Sequence, residues 1–218
     1  MNSHSIFSYN NPFAQFFVKL LKLLWLNILW LVTSLPLVTA GASTCALYYT
    51  TMRLAREEEG YLTRDFFSSF KSSFKKATFF FFFIAGVTAV CAVDFFYLGN
   101  SRNLLLRLLA FFIAGLLLAF SFAAVYLLPL TAQFENSVPK TFQAALGLVY
   151  KNPHWSFCLV VLNLLLPLVI LFRFLPLIIF GPALPVFFQA YLLNRIFKKY
   201  MPGEVFLPGS PVKNDGKP

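Results

Sequence analysis

Charge is scarce in this sequence, and long stretches carry none. Of the 218 residues, 12% are charged and 59% are hydrophobic, and the mean hydropathy is +0.72. A soluble domain carries about 25% charged residues, so this chain has about half the usual charge to cover a surface in water. Ala77–Val93, Leu108–Gln133 and Phe174–Asn194 contain no charged residue. Because a membrane-crossing helix needs roughly 20 mainly apolar residues, these stretches predict an integral membrane protein.

Histidine and cysteine are too few, and too scattered, for most active-site chemistry. The two histidines, His4 and His154, lie far apart, and the three cysteines lie inside apolar segments. A zinc site needs three or four ligands, and a nucleophile needs a positioned base. No phosphate-binding glycine loop ending in Lys-Ser or Lys-Thr is present. We therefore expect no catalytic residue, no metal and no cofactor, and we expect that the protein is not an enzyme.

Positive charge exceeds negative charge, with a formal net charge of +10. In a soluble protein this excess would suggest nucleic acid, but lysine and arginine also collect at the cytoplasmic ends of membrane helices. No basic stripe is interleaved with aromatics on a polar face, so we expect the lipid bilayer as a partner and no nucleic acid. The basic residues of 53–76 and 195–199 place both segments in the cytoplasm. The same rule places both chain termini there.

The pattern of apolar and polar segments predicts an all-α, polytopic helical membrane protein with about six transmembrane helices. These form three hairpins, about 16–56, 77–130 and 154–195, within a single domain over residues 1–200. Two amphipathic helices, about 63–76 and 138–151, are predicted to lie at the cytoplasmic membrane interface and to join the hairpins. If the helix from Gly41 to about Arg56 does not cross, the count is five and the N-terminus lies outside. The positive-inside rule favours six.

The C-terminal segment, residues 201–218, is rich in proline and glycine and has few apolar residues. Such a composition cannot bury enough apolar surface to offset the entropy of ordering. We predict a disordered cytoplasmic tail.

The first interfacial segment is the candidate contact surface. Phenylalanines recur in it at helical spacing with lysines between them, after an acidic lead of Glu57–Glu59. This pattern fits docking on a protein partner, and it fits binding of the lysines to anionic lipid headgroups equally well. The predicted contact residues are Asp65, Phe66, Phe67, Phe70, Lys71, Phe74, Lys75 and Lys76.

Three uncharged polar residues fall within predicted membrane helices: Asn27, Asn163 and Gln189. They could line a path for a solute, since repeated hairpins are compatible with transporter folds. Hydrogen bonding between packed helices is the commoner use of such side chains in membranes, and we favour it here.

Several of these segments resemble one bacterial family. The signature of the YesL-like proteins is resembled by Asn27–Leu31, Ser34–Gly41 and Ala46–Tyr49, and later by Gly60-Tyr61 with Asp65–Phe67 and Phe70-Lys71. Those are bacterial integral membrane proteins classed as a domain of unknown function, often encoded beside carbohydrate ABC transporters and sensor kinases.

The resemblance implies a multi-pass protein of the bacterial plasma membrane. It also implies a non-enzymatic accessory role in carbohydrate transport or sugar sensing, with an ABC transporter permease or a sensor kinase as partner. An autonomous small-solute transporter or channel is the alternative.

Overall fold

The computed structural model describes residues 12–58, 60–99, 103–134, 137–173 and 182–200. The predicted tail, 201–218, lies outside these ranges. A short 3-10 turn, Leu37–Thr39, joins the first two helices. The all-α prediction is confirmed, because the described residues form seven α-helices: α1 Pro12–Ser34, α2 Ala40–Ala55, α3 Leu62–Gly99, α4 Leu104–Gln133, α5 Val138–Lys151, α6 Pro153–Arg173 and α7 Ala183–Tyr200.

Pro36 separates α1 from α2. Proline has no N–H to donate and disfavours helical geometry in the residue before it, which accounts for the end of α1 at Ser34. Thr39 then closes the turn, since its backbone N–H donates to Pro36 O at 2.9 Å and its hydroxyl donates to Thr33 O at 2.6 Å. The chain folds back, and the indole of Trp30 donates to Thr44 Oγ1 at 3.2 Å. α1 and α2 are therefore antiparallel neighbours.

α2 is the central helix of the described structure. Of its 16 residues, 12 are buried, and it contacts α1, α3, α4 and α7. Small residues at its start allow close approach of a neighbour. A Cβ added to Gly41 would lie 2.6 Å from both Ala77 O and Phe81 Cβ on α3. At the other end of α2, Arg53 pairs with Asp65 near the start of α3. α2 therefore runs antiparallel along the first half of α3.

α3 is one continuous helix. The sequence suggested an interfacial helix over 63–76 and a separate membrane helix from 77, but α3 runs through that boundary without a break. The reason is local: between Leu62 and Ala85 there is neither proline nor glycine to interrupt it. Its 38 residues extend for about 57 Å, nearly twice the roughly 30 Å of the hydrocarbon core. The part of α3 beyond α2 packs against α4, where the rings of Phe83 and Phe120 lie 5.9 Å apart.

Among the described residues, three helices are long and apolar enough to cross a membrane: Ala14–Ser34, Leu62–Tyr97 and Leu104–Gln133. The distal parts of α3 and α4 expose large apolar side chains, such as Phe96 at 82% and Phe112 at 64%. Both features are consistent with a membrane protein. α2 spans about 24 Å at its 16 residues and lies inside a shell of other helices. The six-span count and the hairpin arrangement remain predictions.

The close contact between α2 and α3 gives a testable expectation for Gly41→Ala. The added methyl has no room beside Ala77 and Phe81, so we expect a loss of about 1–3 kcal/mol of stability from overpacking. Gly86→Ala in α3 is the matched control, because nothing lies within 4 Å of its added Cβ and alanine favours the helix by up to about 1 kcal/mol. Thermal unfolding in mild detergent measures both. Equal midpoints for the two variants would contradict this packing.

Candidate functional site

The connection between α2 and α3 gathers charged side chains from three helices. We call Lys19, Arg53, Arg56, Glu57, Glu58 and Asp65 the ionic cluster. The backbone at its centre is a helix-terminating turn in which Glu57 N donates to Leu54 O and Glu58 N to Arg53 O, both at 3.2 Å. Glu57 adopts the left-handed conformation, with φ of 58°. This position at a helix end is usually glycine, and a side chain there costs about 1–2 kcal/mol.

Arg53 is the most connected residue of the ionic cluster. Its Nε lies 3.0 Å from Glu58 Oε2, and its Nη1 lies 3.0 Å from Asp65 Oδ2. Arg56 shares Glu58, with its Nε 2.7 Å from Oε1. The guanidinium of Arg53 also lies over the ring of Tyr49, 5.9 Å from its centroid, in a cation–π arrangement. With 18% of its side chain exposed, Arg53 is shielded from the solvent that weakens surface ion pairs.

Gly60 is in direct contact with the Arg53–Asp65 ion pair. A Cβ added there would lie 2.6 Å from Asp65 Oδ2 and 3.1 Å from Arg53 Nη2. The ion pair therefore occupies the space of a side chain at position 60. The sequence drew attention to Gly60 and Asp65 as neighbouring parts of one pattern, and the structure supplies the physical link between them.

Lys19 and Glu57 attach α1 to this connection. Lys19 Nζ donates to Glu57 Oε1 at 2.5 Å, and the indole of Trp25 donates to Thr63 Oγ1 at 3.0 Å. The hydrogen bond from Lys19, together with its positive charge, lowers the pKa of Glu57 below its ordinary value. The ion pair is therefore complete at neutral pH and is lost on acidification through that lowered pKa.

A half-open cavity of about 280 Å³ lies between the N-terminal half of α1 and the α2–α3 connection. Charged side chains of both signs line it: Lys19, Lys22, Arg53, Glu57, Glu58 and Asp65. Sequence reasoning did not find this cavity. Its lining residues are spread from α1 to the start of α3, and no periodic pattern connects them.

The predicted contact surface on α3 is divided between the interior and the outside. Phe66 is fully buried and so is not available to a partner or to lipid, which corrects the prediction for that residue. Asp65 belongs to the ionic cluster, and Phe70 and Phe74 are half-buried and pack on the core with their rings 5.6 Å apart. Phe67, Lys71 and Lys75 are exposed, and Lys76 is intermediate.

Three residues that the sequence did not select lie exposed on the same side of α3: Arg64, Ser68 and Ser72. With Phe67, Lys71 and Lys75 they recur every three or four residues, the spacing of one helix face. We call these six residues the basic face. The inward stripe of Phe66, Ser69, Ser73 and Ala77 fixes the opposite side of the helix on the core.

Two of the three predicted polar membrane residues come together between helices. Gln189 Oε1 accepts from Tyr48 Oη at 2.5 Å and from Asn163 Nδ2 at 3.4 Å, joining α7 to α2 and α6. One turn further along α7, Asn194 Nδ2 donates to Met52 O at 2.9 Å. Asn27 is buried on α1. These bonds tie helices together, the role that uncharged polar groups commonly have in membrane bundles.

Tyr48 was not selected from the sequence. The signal that could have identified Tyr48 is that a buried tyrosine hydroxyl needs a hydrogen-bond partner.

Within the described ranges, no group of three or more His, Cys, Asp or Glu side chains is placed to hold a metal ion. Cys45 is buried, and Cys91 and Cys158 are half-buried free thiols. Cys45 Sγ donates to Leu128 O at 3.6 Å and also contacts Ser73. The cysteine thus joins α2 to both α4 and α3.

A family model described as "Protein of unknown function, DUF624" matches residues 23–95, about a third of the chain. The matched segment runs from the middle of α1 through α2 and most of α3, so it includes the basic face and every member of the ionic cluster except Lys19. No curated protein and no solved structure matches the chain.

The contact between Gly60 and the ion pair predicts a dependence between two substitutions. Gly60→Ala should lower stability by about 1–3 kcal/mol, because the methyl must displace Asp65 or Arg53. In an Asp65→Ala background the same change should cost less, since its nearest obstacle is gone. Gly147→Ala on α5, with nothing within 4 Å of its added Cβ, is the control. Thermal unfolding of the four variants measures the coupling, and strict additivity would contradict it.

Proposed function

We propose that this chain is a multi-pass integral membrane protein of the bacterial plasma membrane that acts as a non-enzymatic accessory component. In this proposal it is a YesL-like protein that docks on a carbohydrate ABC transporter or on a sugar-sensing kinase. The docking surface is the basic face of α3, exposed to the cytoplasm. The six-helix topology with both termini in the cytoplasm, favoured by the distribution of Lys and Arg, is part of the same proposal.

The observation that carries this proposal is a basic face on a helix whose other side is held in place. Contact at Gly41 and the Arg53–Asp65 ion pair fix the inner side of α3 against α2. The outer side presents Arg64, Lys71 and Lys75 with an exposed phenylalanine, Phe67. A fixed surface costs less ordering entropy on binding than a flexible one. The cations of the basic face and the ring of Phe67 complement a partner surface that is acidic and has a small apolar patch.

The choice of partner rests on the resemblance to YesL-like proteins and on what their genes accompany. The family-model match covers the basic face, and the description of that family assigns no function. Anionic lipid headgroups are the competing occupant of the basic face, since each lysine or arginine near such a surface contributes about 1 kcal/mol. The experiment below separates the two.

Charge reversal on the basic face tests the docking. The tagged protein carrying Lys71→Glu and Lys75→Glu is purified from its native membrane in mild detergent, and co-purified transporter and kinase subunits are quantified by mass spectrometry. We expect recovery of such a subunit with the unaltered protein and a loss of at least tenfold with the variant, because two attractive contacts become repulsive. The control is Lys140→Glu with Lys198→Glu, two exposed lysines on α5 and α7.

Equal recovery with both double variants would overturn the docking proposal. Binding of the same variants to vesicles of anionic lipid is the second readout. If Lys71→Glu with Lys75→Glu loses vesicle binding but recovers the partner unchanged, the basic face binds lipid instead. Both readouts use the full-length protein, and a matching unfolding midpoint shows that each variant is folded.

A further inference from the structure

The C-terminal part of α7 has an excess of positive charge. The helix contains no aspartate or glutamate, and its last turns carry Arg195, Lys198 and Lys199. Arg195 and Lys198 are exposed, and within the described ranges no acidic group lies within ion-pair distance of either one. The neighbouring helix α1 has no aspartate or glutamate either. This surface therefore favours an anionic occupant.

Contacts on the inner side of α7 determine which of its residues face outward. Gln189 accepts a hydrogen bond from Tyr48, and Asn194 donates one to Met52 O, so both attach α7 to α2. The opposite side exposes residues that recur every three or four positions, the spacing of one helix face: Phe188, Tyr191, Arg195 and Lys198. We call these four residues the α7 face.

The α7 face changes from apolar to basic along the helix. At a rise of 1.5 Å per residue, Tyr191 lies about 4.5 Å beyond Phe188, and Lys198 lies about 15 Å beyond it. The headgroup region of one leaflet is about 5–7 Å thick. Tyrosine is enriched in that region, and the long side chains of arginine and lysine extend towards the headgroups. The order of residues thus matches the order of acyl chain, interface and headgroup.

A tryptophan on the adjacent helix lies towards the same end of the bundle. α1 contacts α7, and Trp25, about half exposed, donates its indole N–H to Thr63 at the start of α3. The residues of α2 that contact α7, Tyr48 and Met52, belong to the half of α2 that leads to α3. Tryptophan is also enriched at the membrane–water interface. Two neighbouring helices therefore present interfacial aromatic residues at one end of the bundle.

We infer that the α7 face binds the headgroups of anionic phospholipids at the cytoplasmic surface of the membrane. Arg195 and Lys198 contact the phosphates, and Tyr191 lies between these cations and the acyl chains. The inference rests on the topology of the proposed function, in which α7 ends in the cytoplasm. It assigns lipid and protein to different surfaces. The cations of the basic face on α3 alternate with serines and show no change from apolar to basic, so that face remains the docking surface.

A lipid titration of the purified, full-length protein tests this inference. Phosphatidylglycerol or phosphatidylcholine is added in mixed detergent micelles, and native mass spectrometry counts the lipid molecules that stay bound. Each lysine or arginine near an anionic surface strengthens binding about fivefold. We therefore expect Arg195→Gln with Lys198→Gln to weaken phosphatidylglycerol binding at least tenfold and to leave phosphatidylcholine binding unchanged.

Lys71→Gln with Lys75→Gln on the basic face is the matched control, because it removes the same charge from another exposed surface. We expect it to retain the binding of phosphatidylglycerol. An equal loss in the two double variants would overturn the inference in favour of diffuse attraction to all exposed cations. Unchanged phosphatidylglycerol binding in the α7 variant, or equal binding of the two lipids by wild type, would also overturn it. The unfolding midpoint shows that each variant is folded.

The recovery of transporter and kinase subunits from the native membrane separates lipid from an acidic protein as the occupant. The α7 variant should recover these subunits normally while it loses phosphatidylglycerol, and the α3 variant should do the reverse. If the α7 variant loses a subunit and keeps phosphatidylglycerol, the occupant is a protein and the inference is overturned. A failure of docking on α3 changes neither lipid result, so the two failures are distinguishable.

Discussion

The antiparallel contact between α2 and the first half of α3 organises the rest of the described structure. Its two ends are fixed by opposite kinds of interaction. At Gly41 the absence of a side chain lets the backbones approach until a Cβ would lie 2.6 Å from Ala77 O. At the other end the partly buried Arg53–Asp65 ion pair joins the helices. Each helix advances twelve residues between these points, about 18 Å, so the two contacts define one register.

That register decides which side chains are available for function. It turns Phe66, Ser69 and Ser73 inward and leaves Lys71 and Lys75 outside, so the cations lie on a surface whose position is fixed. It also brings Asp65 up to Arg53, which in turn requires Gly60 to have no side chain. Lys19 and Glu57 then attach α1 across the same connection and enclose the cavity. The basic face and the cavity are thus two consequences of one helix contact.

Sequence reasoning located the helices where the determinants are local. Proline at 36 ends α1, and the amphipathic pattern near 138–151 coincides with α5. Sequence reasoning was less successful where the protein interior and the surrounding lipid are both apolar. In a membrane protein, phenylalanine suits both lipid and the interior, so the spacing of Phe66, Phe67, Phe70 and Phe74 marked a helix without saying which side faces the core. The change in composition at Ala77 suggested a boundary, although no residue there breaks a helix.

The site itself depended on long-range pairing that a single sequence does not specify. Asn163 and Gln189 were selected as polar residues, but the hydrogen bond from Tyr48 to Gln189 joins positions 141 residues apart. Gly60 and Asp65 were noticed as a pattern, but the role of Arg53 between them follows from the turn at Glu57. Lys22 lies on a helix that the sequence assigned to the membrane, and its proximity to the α2–α3 connection emerges from the folding back of α1 on α2.

The register between α2 and α3 is tested most directly by a disulfide placed between its two ends. Cys45 is buried against Ser73, so Ser73→Cys places two thiols in contact. After mild oxidation of the membrane-embedded protein, mass spectrometry of the digested chain should recover a peptide pair joined at positions 45 and 73. The pair should be absent when Cys45→Ala is added. Recovery of position 73 joined to Cys91 or Cys158, or no crosslink in a folded variant, would contradict the antiparallel register on which the basic face and the cavity depend.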